Sequence, residues 1–459
     1  MVSRNRSKCG PLLAAGITAA ILVAAPASAE TLGDAFKAAY TRNPTLQAER
    51  ANLRSTDENV PQARAGWLPT VTVNGDIGVQ QITADRGNGA ATEDLTPTNV
   101  NLAVVQPVWS GGRTFAAVDA AEALVRAGRE TLRGTEQTLF VNVVTVYMNV
   151  LQAQAVVQLN INNEERLKRQ LTAAQDRFRV GEITRTDVAQ AEARVARAVS
   201  DRVQAEGNLI AAKADYVQIV GTDPSDLDPP PALPTTPTTE EQSMSTGLRS
   251  NPDLRAAKEA AIAAKHNIRQ ASGALLPTVQ LEGTASHSTD GAVSGDSTEV
   301  LRLRGVVNVP LYQGGAVYSQ VRQQRATHAQ RRLQVIETER AVRETVTQAW
   351  EALTTARSRI KANREEVRAN EIALDGVTQE AQVGSRTTLD VLDAEQELLD
   401  AQVSLVGAER DEYVATYQLL QAIGGLNVDA IGLKVQKYNP RKNYNRVRDK
   451  LFGTDGGLD

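Results

Sequence analysis

The 459-residue sequence predicts a mainly helical chain that also carries strands of a membrane β-barrel, built as two tandem repeats. Three observations lead there. The chain repeats itself at a spacing of about 200 residues, each copy holds a long proline-free span with heptad spacing, and each holds two segments of alternating apolar and polar residues.

Residues 1–29 are set aside first, as a secretion signal. Arg4, Arg6 and Lys8 form a basic start, Leu12 to Ala25 is apolar, and Ala27-Ser28-Ala29 suits a cleavage site. The mature chain is expected to begin at Glu30. Cys9 lacks the preceding apolar residues of a lipoprotein site and leaves with the signal, so disulfides, thiolate metal sites and cysteine nucleophiles are excluded together. Removing three basic residues leaves 47 against 54 acidic ones, a net charge of −7, which excludes a general nucleic-acid binder. No later run is read as the ~18 uncharged apolar residues of a membrane helix, so any crossing of a membrane is expected to use strands. An aromatic fraction of 4% in an alanine- and valine-rich chain suits long packed helices better than a compact core.

The duplication is explicit. Asn43-Pro44 and Leu46 recur as Asn251-Pro252 and Leu254, and Leu68-Pro69-Thr70-Val71 recurs as Leu276-Pro277-Thr278-Val279, at an offset of 208. Farther on the offset is 203: Pro107, Trp109 and Gly111-Gly112 match Pro310, Tyr312 and Gly314-Gly315, and Val180-Gly181 matches Val383-Gly384. Units this long point to gene duplication and not to a solenoid. No proline lies between Pro107 and Pro224 or between Pro310 and Pro440, whereas Pro224 to Pro237 holds six; the former spans are helical and the latter is a linker.

In the second span Val342, Val346, Ala349, Leu353, Ala356 and Ile360 step by four and three, and Leu139, Val143, Val146, Val150, Ala153 and Val157 repeat that seam in the first. Val188, Ala191, Val195 and Ala198, and likewise Val391, Ala394, Leu398, Ala401 and Leu405, give the returning helices. Each copy is thus a helical hairpin turning at Val-Gly. At ~1.5 Å per residue the outgoing helix runs roughly 100 Å and the returning one about half of that. The helix near Pro44 to Gly66, stacked on its end, supplies the difference and brings the amino terminus, linker and tail together at mid-height.

Before each long helix the pattern has period two. Val71, Val73, Ile77 and Val79 oppose Thr70, Thr72, Asn74, Asp76 and Gln80, and Leu301, Leu303, Val307 and Val309 oppose Arg302, Arg304 and Asn308. A half-buried soluble sheet alternates in the same way. Secretion and the polar inner face favour a porin-like wall, and four strands cannot close a barrel whose practical minimum is ~8, so the chain must oligomerise. Trp109 and Tyr312 stand where an aromatic girdle would lie, or simply pack on helices.

The chain divides accordingly. The first repeat covers 30–221, with a strand hairpin at 68–109, a long helix at 112–179, a tip at 180–186 and a return helix at 186–220. A linker at 222–245 leads to a second repeat over 246–424, with its hairpin at 276–312, long helix at 315–382, tip at 383–389 and return helix at 389–423; a tail covers 425–459.

This order resembles the TolC family of outer-membrane efflux and secretion ducts over nearly the whole mature chain. Its local marks are Asn-Pro-x-Leu, Leu-Pro-Thr-Val, and the tip sequences running from Val180 to Val188 and from Val383 to Asp393. The tail, with Tyr438-Asn439-Pro440 and Asn443-Tyr444-Asn445, resembles the branch serving type I secretion. The resemblance implies a homotrimer in outer-membrane lipid, with twelve strands and a tapered periplasmic tunnel of twelve helices. It implies tips docked on a periplasmic adaptor, whose inner-membrane partner is an ABC or proton-driven transporter. Val180, Gly181, Thr184, Val188, Val383, Gly384, Thr387 and Val391 are the docking positions so implied. For the gate it implies Arg386 bonded to Thr186 and Asp187, and Asp390 and Asp393 at the narrowest point. Ala381 stands where some relatives carry a latching tyrosine.

Plainer readings stand beside these. Gly181 and Gly384 also suit ordinary turns, and Asp187 and Asp390 suit helix caps. His266, His287 and His328 are scattered, no metal-ligand spacing occurs, and Gly111-Gly112-Arg113 is a strand-to-helix turn, so neither an enzyme nor a cofactor is expected. The rival reading is a periplasmic coiled-coil adaptor or structural protein; an adaptor would carry one hairpin flanked by small β domains.

Overall fold

The structure, a computed structural model, describes residues 30–85, 89–224, 226–291 and 293–455. The signal assignment and Cys9 lie outside the described residues. Two long helices dominate, α4 (Arg113–Arg179) and α8 (Ala316–Gln382), each of 67 residues. They return through α5 (Arg185–Val220) and α9 (Thr388–Ala422). Ahead of the strands lie α1 (Leu32–Arg42), α2 (Pro44–Asp57) and α3 (Asn59–Arg64) in the first repeat, and α6 (Glu240–Ser250) and α7 (Pro252–Gly273) in the second. The tail holds α10 (Pro440–Val447).

The two Asn-Pro motifs explain how a short return helix is extended. Asn43 Oδ1 accepts the backbone N–H groups of Thr45 and Leu46 (3.0 and 3.3 Å) and so caps α2, while its Nδ2 donates to the carbonyl of Ile219 at the end of α5 (3.0 Å). Asn251 repeats this for α7, accepting from Asp253 and Leu254 and donating to the Ala422 carbonyl of α9 (3.1 Å). One amide therefore satisfies groups at two helix ends that have no intrahelical partner. Pro44 and Pro252, whose N–H would be unused at this position, follow each cap.

Each heptad seam residue from Val342 to Ile360 is buried, as are Leu139, Val143, Val146 and Val150. The largest core lies at mid-height, where Phe36 meets Phe140 edge-on (5.5 Å) and the Tyr147 hydroxyl donates to the carbonyls of Asp228 (2.6 Å) and Glu30 (3.0 Å). That core corrects one expectation. Residues 137–163 carry no charge, and a window of α4 is apolar and long enough for a membrane helix. It is apolar because α1 and the linker pack on it, with Phe140, Val143, Val144 and Tyr147 fully buried.

Four strands, β1 (Thr70–Ile77), β4 (Thr98–Ser110), β5 (Thr278–Thr289) and β6 (Ser297–Asn308), form one antiparallel sheet in the order β1-β4-β5-β6. β1 and β6 are open edges. Cross-strand neighbours place Val73, Leu102, Ala285 and Leu301 on one face, with Val71, Val104 and Leu303 beside them. The other face carries Thr72, Thr284 and Arg302, and an ion pair between Glu282 and Arg304 (2.6 Å). A bulge at Pro107 shifts the register so that Trp109 pairs with Val279 and joins the apolar face. Leu301, Leu303 and Tyr312 are 89, 73 and 80% exposed, so the apolar face is uncovered in a single chain.

Three boundaries differ from expectation. The first hairpin breaks at Gly78 and Val79 and continues as a separate ribbon, β2 (Gln80–Asp85) with β3 (Ala90–Leu95). Pro97 accepts from Gly78 N (3.0 Å) but has no N–H to return, so the ladder stops there. The helix α6 begins inside the expected linker, where Thr239 Oγ1 caps it through Gln242 N (3.2 Å). The tips are shorter than expected because α5 and α9 start at Arg185 and Thr388.

Candidate functional site at the helical tips

Both long helices end in the same chain reversal. Glu182 N donates to the Arg177 carbonyl (2.9 Å) and Ser385 N to that of Glu380 (3.0 Å), closing the last turn around Gly181 and Gly384. These glycines have φ of +79° and +80°, in the left-handed region, while open space surrounds both. Val180 and Val383 project beside them, 78 and 81% exposed.

Reciprocal caps then start the return helices. Asp187 Oδ2 accepts from Thr184 N and Oγ1 (both 2.8 Å), and Thr184 Oγ1 accepts from Asp187 N (3.3 Å). Thr387 and Asp390 repeat the arrangement (2.8, 2.7 and 3.2 Å). The Thr184 hydroxyl, and then its backbone, hold the Asp187 carboxyl below its ordinary value, with Arg177 adding to the effect. For Asp390 the Thr387 backbone leads, followed by its hydroxyl. The two aspartates are thus helix-capping groups in the protomer.

The implied bond between Arg386 and Asp187 is not formed within the chain. Arg386 Nε, in the turn between the helices, instead donates to Glu380 in the last turn of α8 (2.9 Å), a partner reached by folding back over the tip. Thr186 is exposed. Asp393 does bridge the hairpins, through Arg194 of α5 (2.5 Å). A second bridge nearby joins Arg166 of α4 to Glu395 of α9 (3.1 Å), a residue only 4% exposed, whose pKa is raised by burial and pulled back by the Arg166 charge. Neither arginine was singled out in the sequence, since no local signal marks a partner about 200 residues away.

The implied docking positions divide. Val391 is only 4% exposed and belongs to the core of the tip, so it is not a surface residue. Val188 is half-buried, and Thr184 and Thr387 are engaged as caps. Leu392 shares one buried cluster with Leu167, Ala174, Ala191 and Ala198 of the other hairpin, which joins the two hairpins near their tips.

Comparison with known proteins agrees with this architecture. The family model for outer membrane efflux proteins matches residues 36–222 and 244–425. The outer membrane efflux protein BepC of Brucella suis is 38% identical over 449 residues, covering 97% of each chain. Outer membrane protein TolC of Escherichia coli is 27% identical over 414 residues, covering 87% of this chain and 83% of its own. The crystal structure of VceC from Vibrio cholerae shares the fold with a TM-score of 0.75 at 21% identity, over 86% of this chain and 96% of that one. A Pseudomonas aeruginosa membrane protein gives 0.77 at 20% identity, over 86% and 90%. The chain is a member of the outer membrane efflux protein family, whose members are outer-membrane efflux and secretion channels.

Proposed function

We propose that the protein acts as a homotrimer, each protomer giving four strands to a twelve-stranded barrel and its helical hairpins to a periplasmic tunnel. The observation that carries this is the four-stranded sheet with two open edges and an uncovered apolar face. Unpaired edges inside a bilayer leave backbone groups without partners, which only closure with further copies removes. Extraction in detergent followed by light scattering tests it: a trimer is expected, and a stable monodisperse monomer overturns the reading.

The tips are the docking surface for a periplasmic adaptor, and an inner-membrane ABC or proton-driven transporter loads the tunnel through it. Exposed Val180 and Val383 beside open glycines support that role. Relatives include the proteases secretion protein PrtF of Dickeya chrysanthemi, 26% identical over 87% of this chain, which supports a type I secretion partner alongside efflux. Asp390 and Asp393, three residues apart near the tunnel end, gather around the trimer axis as the gate, with Arg194 balancing Asp393. Bound adaptor would be read by cross-linking from a cysteine placed at Val383; no cross-link from the tips in a cell that exports normally would place docking elsewhere.

A further inference from the structure

On the side of α2 that faces the tail lies a cavity of about 530 Å³ bounded by basic side chains. Arg50, Arg54, Lys437, Lys442 and Arg446 line it, and among the described residues no acidic side chain does. Arg50 is 7% exposed, yet its Nε and Nη2 have no hydrogen-bond partner. Its guanidinium lies over the rings of Tyr40 (4.4 Å) and Tyr438 (5.0 Å), contacts that stabilise the charge but supply no acceptor to those edge donors. An unsatisfied buried donor on a charged group is costly, so a site that keeps one open is suited to an external acceptor.

Two carboxylates act on this charge from outside the lining. Glu136 senses the Arg50 charge, but burial pushes its carboxyl above the ordinary range and it hydrogen-bonds Tyr40. Asp429 engages Lys437 from outside the lining, and Arg446 donates to the neutral Asn443 Oδ1 (2.6 Å). Arg54 is half-exposed and Lys442 and Arg446 are exposed at the rim, free to close on a bound group.

We propose that Arg50, Arg54, Lys442 and Arg446 form an oxyanion-binding site that takes a carboxylate or phosphate group carried by a periplasmic molecule. Planar guanidinium donors match the paired oxygens of either group. The height excludes a phospholipid headgroup in the bilayer: Glu136, level with Arg50, is 23 residues along α4, or about 35 Å from the strand ends. The volume exceeds that of one oxyanion, so the group is presented on a larger ligand.

Calorimetry on the mature chain in detergent tests this, titrating inorganic phosphate and, separately, citrate, with ionic strength matched by chloride. Saturable binding of at least one is expected, weakened tenfold or more in the rim double variant Arg54→Gln/Lys442→Gln and in Arg50→Lys. Arg441→Gln, an exposed charge outside the lining, should stay within twofold of wild type. Phosphate binding alone assigns a phosphate ligand and citrate binding alone a carboxylate. No saturable binding of either, unchanged affinity in the rim variant, or equal weakening in Arg441→Gln overturns the proposal. The rim variant leaves the core intact, and gel filtration of the same sample verifies its assembly.

Discussion

Arg194 of the first hairpin and Asp393 of the second meet at 2.5 Å, with the two side chains 28 and 51% exposed. A pair this accessible contributes about 0.2–1 kcal/mol per copy, but in the proposed trimer it acts at three places on one aperture. Arg194→Gln should therefore loosen the closed entrance and leave Asp393 uncompensated. In planar bilayers the expected result is higher conductance with stronger cation preference. Asp393→Asn should raise conductance while weakening that preference, because it removes the charge instead of exposing it. Identical selectivity in the two variants would place this pair away from the constriction.

Asp390 and Asp393 together should attract multivalent cations. Block of the wild-type channel from the periplasmic side is expected, and its loss in Asp390→Ala/Asp393→Ala. The same double variant also loses the bonds that Thr387 donates to the Asp390 carboxylate, so Asp390→Asn/Asp393→Asn is the companion. Block that persists in both variants would show that these carboxylates do not line the pore.

The glycines at the tips separate docking from assembly. Gly181→Leu and Gly384→Leu force a branched side chain into the left-handed region, a strain of about 1–2 kcal/mol per site, without a clash, since nothing lies nearby. Trimers should form with export lost. Normal export by both variants would leave the tips a structural role only.

The Asn-Pro joints should matter for stability. Asn43→Ala removes an N-cap, at about 1 kcal/mol, and strands the Ile219 carbonyl, at about 1 kcal/mol more. Asn251→Ala should cost the same through Ala422. Denaturant unfolding of detergent-solubilised protein checks this, and a loss below about 0.5 kcal/mol in both would mean that neither splice holds its helices together.

Acid should uncap the tips at an unusually low pH. Because its Thr184 bonds hold the Asp187 carboxyl below the ordinary value, the stability it contributes is fully present above the unfolded value of about 3.9 and is lost as pH falls through the lower folded value. A spin label on Val180→Cys should keep constant mobility from pH 7 to about 4 and gain mobility only below that. In Asp187→Asn it should be mobile throughout. Mobility that rises already near pH 6 in the wild-type background would show that another group controls the tip.

Much of this was legible in the chain because it depends on short separations. The period of Val342 to Ile360, the alternation of Val71 and Val73, the prolines and the glycine turns all act within a few residues, and the duplication printed each signal twice. The capping role of Asp187 and Asp390 belongs to the same class, since Thr184 and Thr387 stand three residues away. Tertiary structure alone decided the rest. Arg194 found Asp393, Arg386 turned back to Glu380, Val391 went inside, and Trp109 reached the apolar face through a bulge at Pro107. The cavity around Arg50 exists only because the tail returns to α2, bringing Tyr438 against a helix nearly 400 residues earlier. Such relationships depend on how helices from different repeats are rotated and staggered when they pack, and no local spacing encodes that register.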